Sequence, residues 1–231
     1  MKCFILASGF GTRLYPLTLT CAKPLLPYRG KPMINHIVDK IPENMEILVN
    51  INKKFEMAFY SWQKEQKRPI TLCVENVYTD REKLGAIGAL NYWIKNKNIS
   101  EDLLLFGSDN YFEFCLNKFM SAYNGHNLLV AVHDIGDPSR ATQYGVVKLS
   151  ENKIIEIEEK PLKPRSSLVA TACWILPARI FPIISDFCQD VNRDNLGHFI
   201  AHLIKQDEVY AYLFTETWID IGSLETYYAT R

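Results

Sequence analysis

The sequence predicts a single α/β domain, Rossmann-like, with a mostly parallel central sheet flanked by helices and a small β-rich lobe. Three observations carry this. Short apolar, β-branched runs alternate with amphipathic stretches through the first half, the second half turns mostly strand-like, and no internal repeat, low-complexity tract or long linker intervenes. The chain has 231 residues, 48% of them hydrophobic, enough for one sizeable core.

Residues 2–7, 45–51, 69–74 and 103–106 read as buried strands, because their apolar residues are continuous rather than alternating. Between them, residues 32–40, 53–66 and 83–97 read as helices. In the last of these, Leu84, Ile87, Leu90 and Ile94 recur every three or four positions and define a core-facing stripe. Strand–helix–strand alternation implies parallel strands joined by right-handed crossovers. Further on, residues 128–133, 144–149, 153–158 and 169–176 read as strands, punctuated by Asp137-Pro138, Glu151-Asn152 and the proline-bounded stretch 161–164. A helix is expected over 195–205, a strand over 209–214 and a short helix over 223–228. A first part is expected at about residues 1–125 and the lobe at about 126–231.

Lysine plus arginine total 26 and aspartate plus glutamate total 26, so no overall positive field is available to hold a nucleic acid polymer. An anionic ligand must therefore meet a local cluster of cations. The apolar N-terminal run stops at Ser8-Gly9 and lacks the length and cleavage pattern of a signal peptide, and no stretch approaches the roughly 20 apolar residues that span a bilayer. The six cysteines are scattered without a C-x-x-C pair, which favours reduced, buried thiols and a cytoplasmic protein without membrane partners.

Immediately after the first strand stands Ser8-Gly9-Phe10-Gly11-Thr12-Arg13-Leu14-Tyr15-Pro16-Leu17-Thr18. Glycines in this position let backbone N–H groups turn toward an anion without interference from Cβ, and Arg13 adds a planar fork suited to phosphate oxygens. Neither the Walker pattern nor the third glycine of the dinucleotide fingerprint is present. Downstream come Lys23-Pro24-Leu25-Leu26-Pro27 and Gly30-Lys31-Pro32-Met33-Ile34, whose prolines stiffen the connection and are expected to return Lys23 to the glycine loop. Asp109 follows a buried strand, where ligands collect on a parallel sheet, and Asp220 interrupts an apolar stretch. Hard carboxylate oxygens of this kind suit Mg²⁺.

These three segments resemble the sugar-phosphate nucleotidyltransferase family, whose signature runs G-x-G-T-R-L-x-P-L-T, then K-P-L-x-P, then K-P-M-I. The resemblance extends along the chain. Leu84-Gly85-Ala86-Ile87-Gly88-Ala89 is similar to the family's base-reading loop, and Gly107-Ser108-Asp109-Asn110 to its metal-binding turn. Tyr144-Gly145-Val146-Val147 and Glu159-Lys160-Pro161 are similar to its sugar site, and Trp218-Ile219-Asp220-Ile221-Gly222 to its second metal segment. The resemblance implies transfer of a nucleoside monophosphate from a nucleoside triphosphate to a sugar 1-phosphate, with release of pyrophosphate. It implies that Asp109 and Asp220 share one Mg²⁺, that Arg13 holds the leaving phosphates and that Lys23 neutralises charge on the transferred one. Ala7, Gly9, Gly11, Thr12, Gly85 and Gly88 would then contact the nucleotide, while Asn110, Gly145, Glu159, Lys160 and Thr171 would serve the sugar phosphate. A homo-oligomer is a further family-level expectation.

Some positions depart from the pattern. Ser8 stands where many members have glycine. Pro24 stands where thymidylyltransferase members commonly have glutamine, which moves weight toward guanine, uracil or cytosine. Ala172 follows Thr171 where glycine is usual. A chain of 231 residues also has no room for the β-helix acetyltransferase domain of some relatives, so a bifunctional enzyme is not expected. Two other readings stay open: a non-catalytic nucleotide-sugar-binding regulator, and a nicotinamide-dependent oxidoreductase. The second needs an acidic residue after the strand at 45–51, where Asn52-Lys53-Lys54 stands instead. His198 and His202 sit four apart, but Phe199 replaces the glutamate of H-E-x-x-H, so a helix-face coincidence is expected. Tyr15, Trp62, Trp93 and Trp174 are expected in the core or at its rim.

Overall fold

The computed structural model describes residues 1–189 and 195–231. In chain order the strands are β1 (Lys2–Leu6), β2 (Pro27–Tyr28), β3 (Lys31–Pro32), β4 (Ile47–Asn52), β5 (Ile70–Glu75), β6 (Leu103–Gly107), β7 (Asn110–Phe112), β8 (Leu128–Asp134), β9 (Gly145–Ser150), β10 (Lys153–Glu159), β11 (Leu168–Leu176), β12 (Val209–Phe214) and β13 (Trp218–Asp220). The α-helices are α1 (Asn35–Val38), α2 (Glu56–Lys64), α3 (Ala86–Asn96), α4 (Leu116–Ser121), α5 (Phe181–Phe187), α6 (Leu196–Leu203) and α7 (Leu224–Thr230). The chain is α/β, and it divides into two compact units, neither of them continuous in sequence.

The first unit comprises residues 1–83, 105–113 and 217–231. Its strands β5, β4 and β1 pair in parallel, with Phe4 opposite Leu48 and Leu48 opposite Thr71. The end of β6 lies on the other side of β1, where the Ser108 amide donates to the Leu6 carbonyl at 3.0 Å. All six residues of β4 are buried, as expected for a parallel strand covered on both faces. The C-terminal ends of these strands, at Leu6, Asn52, Glu75 and Gly107, form the edge from which the glycine loop and Asp109 depart. Beyond that edge β7 and β13 form an antiparallel pair with Asn110 opposite Asp220. Leu14, Leu26, Tyr28, Met33, Ile221 and Tyr227 form a satellite core next to this pair. Each such side chain contributes roughly 1.5–3 kcal/mol on burial, which fixes the returning C-terminal segment against the N-terminal loops.

The second unit comprises residues 84–104 and 114–216. Here β8 pairs antiparallel with β11 and parallel with β12. The order continues through β10 to β9, and β9 also pairs with β11, Gly145 opposite Ala170, so the order closes on itself. Of the expected stripe, Ile87, Leu90 and Ile94 are buried on α3, whereas Leu84 precedes the helix and is half-buried.

Several boundaries depart from the sequence expectation for identifiable reasons. The helix expected over 32–40 shrinks to α1, because Pro32 belongs to a β2–β3 hairpin whose turn carries Arg29 and Gly30 at φ 46° and 85°. The helix expected from residue 83 begins at Ala86, because Gly85 has φ 79°, outside helical space. The first turn expected at 53 is a 3₁₀ turn, capped by Asn52, whose side-chain oxygen accepts from the Phe55 amide. Helices α4 and α5 and strands β2, β3, β7 and β13 have no counterpart in the sequence expectations.

Candidate active site

The first unit assembles the glycine loop, the lysine segment and the metal-type turn at one strand edge. Ala7 ends the buried run, its amide bonded to the Asn50 carbonyl at 2.8 Å. Gly9, Thr12 and Arg13 are exposed. Gly11 has φ 62°, and a Cβ placed there would sit 3.0 Å from Lys23 Cβ and 3.1 Å from Thr18 Cγ2. Glycine is therefore required twice, by its left-handed backbone and by the close approach of the lysine segment. The Thr18 hydroxyl donates to the Gly11 carbonyl at 2.7 Å and pins the loop from behind. Lys23 does return to the loop, as the proline-stiffened spacing predicted.

Lys23 is 8% exposed and its Nζ lies 2.8 Å from Asp109 Oδ2. Asn110 donates its amide to the other oxygen, Oδ1, at 2.9 Å, and accepts from the Trp218 indole at 2.8 Å. Both ends of the Asn110 amide are thus committed to holding Asp109 and Trp218. Burial pushes the Asp109 carboxyl up, but the charge and hydrogen bond of Lys23, the Asn110 amide and a backbone N–H outweigh it, leaving a net pKa below the ordinary value. A third of the Asp109 side chain still faces solvent, so the carboxylate is held yet reachable.

Asp220 reaches the same region through the β7–β13 ladder, where the Ile221 amide donates to the Asp109 carbonyl at 2.9 Å. Gly222 marks where two further side chains meet. A Cβ built on it would lie 3.4 Å from Asp220 Oδ2 and 3.4 Å from Arg13 Nη1. Arg13, Lys23, Asp109, Asn110 and Asp220 are thereby gathered within the first unit. Their chemistry fits a Mg²⁺ ion, which takes one or two carboxylates and completes its shell with phosphate oxygens and water. Among the described residues no cluster of three or more His, Cys, Asp or Glu side chains could hold a metal by protein ligands alone.

The second unit gathers Gly145, Glu159 and Lys160 at the ends of β9 and β10, where Glu159 is paired with Gly145. The Glu159 side chain is 15% exposed and its Oε1 lies 3.9 Å from Lys160 Nζ, whereas the Lys160 side chain is 56% exposed. Lys160 has φ 48°, a costly backbone for a residue with a side chain, and its amide donates to the Tyr144 carbonyl at 2.9 Å. Thr171 lies inside β11, 3% exposed, and donates its hydroxyl to the Ala131 carbonyl at 2.9 Å, a bond internal to the sheet. Gly85 precedes α3 with its left-handed φ, and Gly88 is buried in the first turn of that helix.

Sequence reasoning missed a polar network behind the glycine loop. Asn50 donates both to Ser8 Oγ at 2.9 Å and to Glu75 Oε1 at 2.7 Å, and Asn52 donates to the Ser8 carbonyl at 2.9 Å. Asn50 and Glu75 are 0% and 2% exposed. The serine in place of glycine was the only visible signal, and its partners lie 42 and more residues away. His202 Nε2 lies 3.0 Å from the Gln206 amide nitrogen and His198 is on the same helix with a buried Nδ1; among the described residues neither joins a group of three or more side chains that could hold a metal. Trp62 and Trp174 are buried, consistent with core roles, while Tyr15 is exposed. No helix among the described residues is long and apolar enough to cross a membrane.

Comparison with known proteins identifies the family and the fold. A family profile described as nucleotidyl transferase matches residues 2–231. The chain is 29% identical to the bifunctional protein GlmU of Methanocaldococcus jannaschii over 96% of its own length and 51% of the relative's. It is also 29% identical to a mannose-1-phosphate guanyltransferase of Schizosaccharomyces pombe, covering 98% of this chain and 62% of that one. It thus spans only about half to three fifths of these relatives' lengths. Among solved structures, a UDP-glucose pyrophosphorylase complexed with UDP-glucose superposes with a TM-score of 0.83 at 22% identity, covering 99% of this chain and 96% of the other. That likeness establishes the fold.

Proposed function

The chain belongs to the nucleotidyl transferase family, and from that premise we propose that it joins a nucleoside monophosphate, taken from a nucleoside triphosphate, to a sugar 1-phosphate and releases pyrophosphate. The reading rests on one observation above the others. A left-handed glycine, a desolvated lysine and a held aspartate meet at the C-terminal edge of parallel strands, with Lys23 Nζ 2.8 Å from Asp109.

The chemistry asks for little beyond positioning. The sugar phosphate oxygen is already ionised at neutral pH, so no enzyme nucleophile is needed, and the obstacle is repulsion between two polyanions. The loop amides after Ser8 and the Arg13 guanidinium would bind the phosphates that leave. Lys23 would neutralise charge on the phosphoryl group in transfer. Asp109 and Asp220 would hold Mg²⁺, which supplies charge neutralisation and orientation at the phosphates when bound. In the second unit Lys160 would bind the phosphate of the sugar 1-phosphate, and Glu159 would accept hydrogen bonds from sugar hydroxyls.

The test is pyrophosphate release from ATP, GTP, CTP, UTP and dTTP, each paired with glucose, mannose or N-acetylglucosamine 1-phosphate, with and without Mg²⁺. Release with at least one pair is expected, dependent on the metal and abolished by Asp109→Ala and Asp220→Ala in proteins that still unfold cooperatively. Turnover that persists in a chelator removes the role given to both aspartates.

A further inference from the structure

Gly197 occupies the first turn of α6, and nothing in the proposed reaction accounts for it. Glycine there is unfavourable for a helix, and its φ is not left-handed, so backbone geometry does not call for it. What does call for it is a neighbour. A Cβ built on Gly197 would lie 2.2 Å from Glu159 Oε2 and 3.3 Å from Glu159 Cδ. The same oxygen lies 3.1 Å from the position of a Cβ on Gly145. One carboxylate oxygen is therefore seated between two residues that lack side chains, one on β9 and one on α6.

The surroundings suit a carboxylate held at a fixed place. Asn195 occupies the cap of α6, its side-chain oxygen accepting from the Gly197 amide at 2.8 Å and the His198 amide at 3.2 Å. The positive end of a helix is an electrostatically favourable neighbour for Glu159. With Oε2 seated against the two glycines, Oε1 is turned to the side of Lys160, 3.9 Å from its ammonium. The orientation of the carboxylate relative to the cation beside it is thus set by the missing side chain on α6.

We propose that Gly197 is a positioning residue for the sugar site: its lack of a side chain fixes the Glu159 carboxylate in the orientation that accepts hydrogen bonds from the sugar of the sugar 1-phosphate. This rests on the reading of Glu159 as the sugar contact. A methyl at position 197 raises helix propensity, since alanine is the best helix former, and comes within 3.3 Å of the Asn195 cap oxygen. The group it strikes is the far end of a flexible side chain, which can rotate away. Gly197→Ala is therefore a substitution that leaves the fold intact and moves Glu159.

The experiment is a kinetic double-mutant cycle on the full chain, using the triphosphate and sugar 1-phosphate pair that gives the fastest pyrophosphate release. Gly197→Ala is expected to unfold at the wild-type denaturant midpoint or above it. Its KM for the sugar 1-phosphate should rise about tenfold, the scale of one lost charge-assisted hydrogen bond, with the KM for the triphosphate unchanged. Glu159→Ala should raise the same KM, and adding Gly197→Ala to it should change that KM by less than about twofold, because no carboxylate remains to be displaced. A sugar KM within about twofold of wild type in Gly197→Ala, or effects that simply multiply in the double variant, overturns the proposal. A Glu159→Ala protein with unchanged sugar KM overturns the underlying reading as well. If Gly197→Ala fails to fold alone, the Glu159→Ala/Gly197→Ala protein must fold; its failure would show that the glycine serves packing rather than Glu159.

Discussion

Replacing Lys23 by methionine and Asp109 by asparagine, singly and together, isolates the ion pair at the centre of the candidate site. At 2.8 Å the Coulomb attraction is about 1.5 kcal/mol in water and about 6 kcal/mol at an effective dielectric constant near 20. The net value is smaller, because Lys23 has been desolvated while a third of Asp109 still faces water. Exposed pairs contribute up to about 1 kcal/mol, and breaking a buried one costs about 3–5 kcal/mol, so a coupling of about 2 kcal/mol is expected here. Urea denaturation of the four proteins at pH 7 without divalent metal measures it. The pH dependence has a definite sign. The Asp109 carboxyl is held below its ordinary value in the folded chain, so its contribution is fully present above the unfolded pKa of about 3.9 and disappears only as pH falls through the lower folded value. The coupling should therefore be flat from about pH 5 to pH 8. A coupling within about 0.3 kcal/mol of zero, or one that vanishes between pH 8 and pH 6, would refute the assignment of an ionised, mutually stabilised pair.

Gly11→Ala should cost about 1–2 kcal/mol from left-handed backbone alone, with more from the approach to Lys23 and Thr18, and should lower kcat with any substrate pair; denaturation and steady-state rates check both. Thr18→Val removes the bond to the Gly11 carbonyl with little change in shape, so a stability loss of about 1–2 kcal/mol and a higher KM for the triphosphate are expected. Asn110→Leu removes the acceptor that Asn110 offers the half-buried Trp218 indole and the amide donor it offers Asp109. A loss of about 1–3 kcal/mol is expected, with weaker Mn²⁺ binding by electron paramagnetic resonance. Ser8→Gly leaves Asn50 its bond to Glu75, so stability should fall by no more than about 1 kcal/mol while the triphosphate KM shifts.

Much of the first unit was legible because its signals are local. A glycine loop directly after a buried strand, followed by prolines at short spacing, restricts the chain enough that Lys23 has few places to go. Its approach to Gly11 is close enough that a glycine is required there. Strands β7 and β13 were not legible. At three residues each they are too short to show a period, and they exist because residues 108 positions apart in sequence pair, as in the bond from Trp218 to Asn110. Helix α5 carried a readable signal, proline in its first turn, but its apolar residues blend with the preceding strand. The partners of Ser8 are of a third kind. A glutamate at a strand end reads as solvated, and only the fold makes Glu75 an interior acceptor for Asn50. Gly197 is similar, since a helix glycine announces only a propensity cost until the chain brings Glu159 against it.

One physical theme runs through both units. A chain with equal numbers of acidic and basic residues cannot attract polyanions by its overall field, and at two positions a cation of the candidate site has a carboxylate beside it. Lys23 rests on Asp109 at 2.8 Å, and Lys160 has the Glu159 carboxylate 3.9 Å away. A buried lysine without a partner would shed its proton or destabilise the fold, and a bare carboxylate beside it would repel the very phosphates it must help to bind. Pairing solves both problems in the free protein. On the proposed function, ligand binding at these positions would be an exchange of partners, in which a phosphate takes over the cation and leaves the carboxylate for a metal ion or a hydroxyl. Such an exchange changes little in net charge at each step, so affinity should rest on geometry. Gly11 beside Lys23 and Gly197 beside Glu159 are therefore positions where a single added methyl group should cost activity.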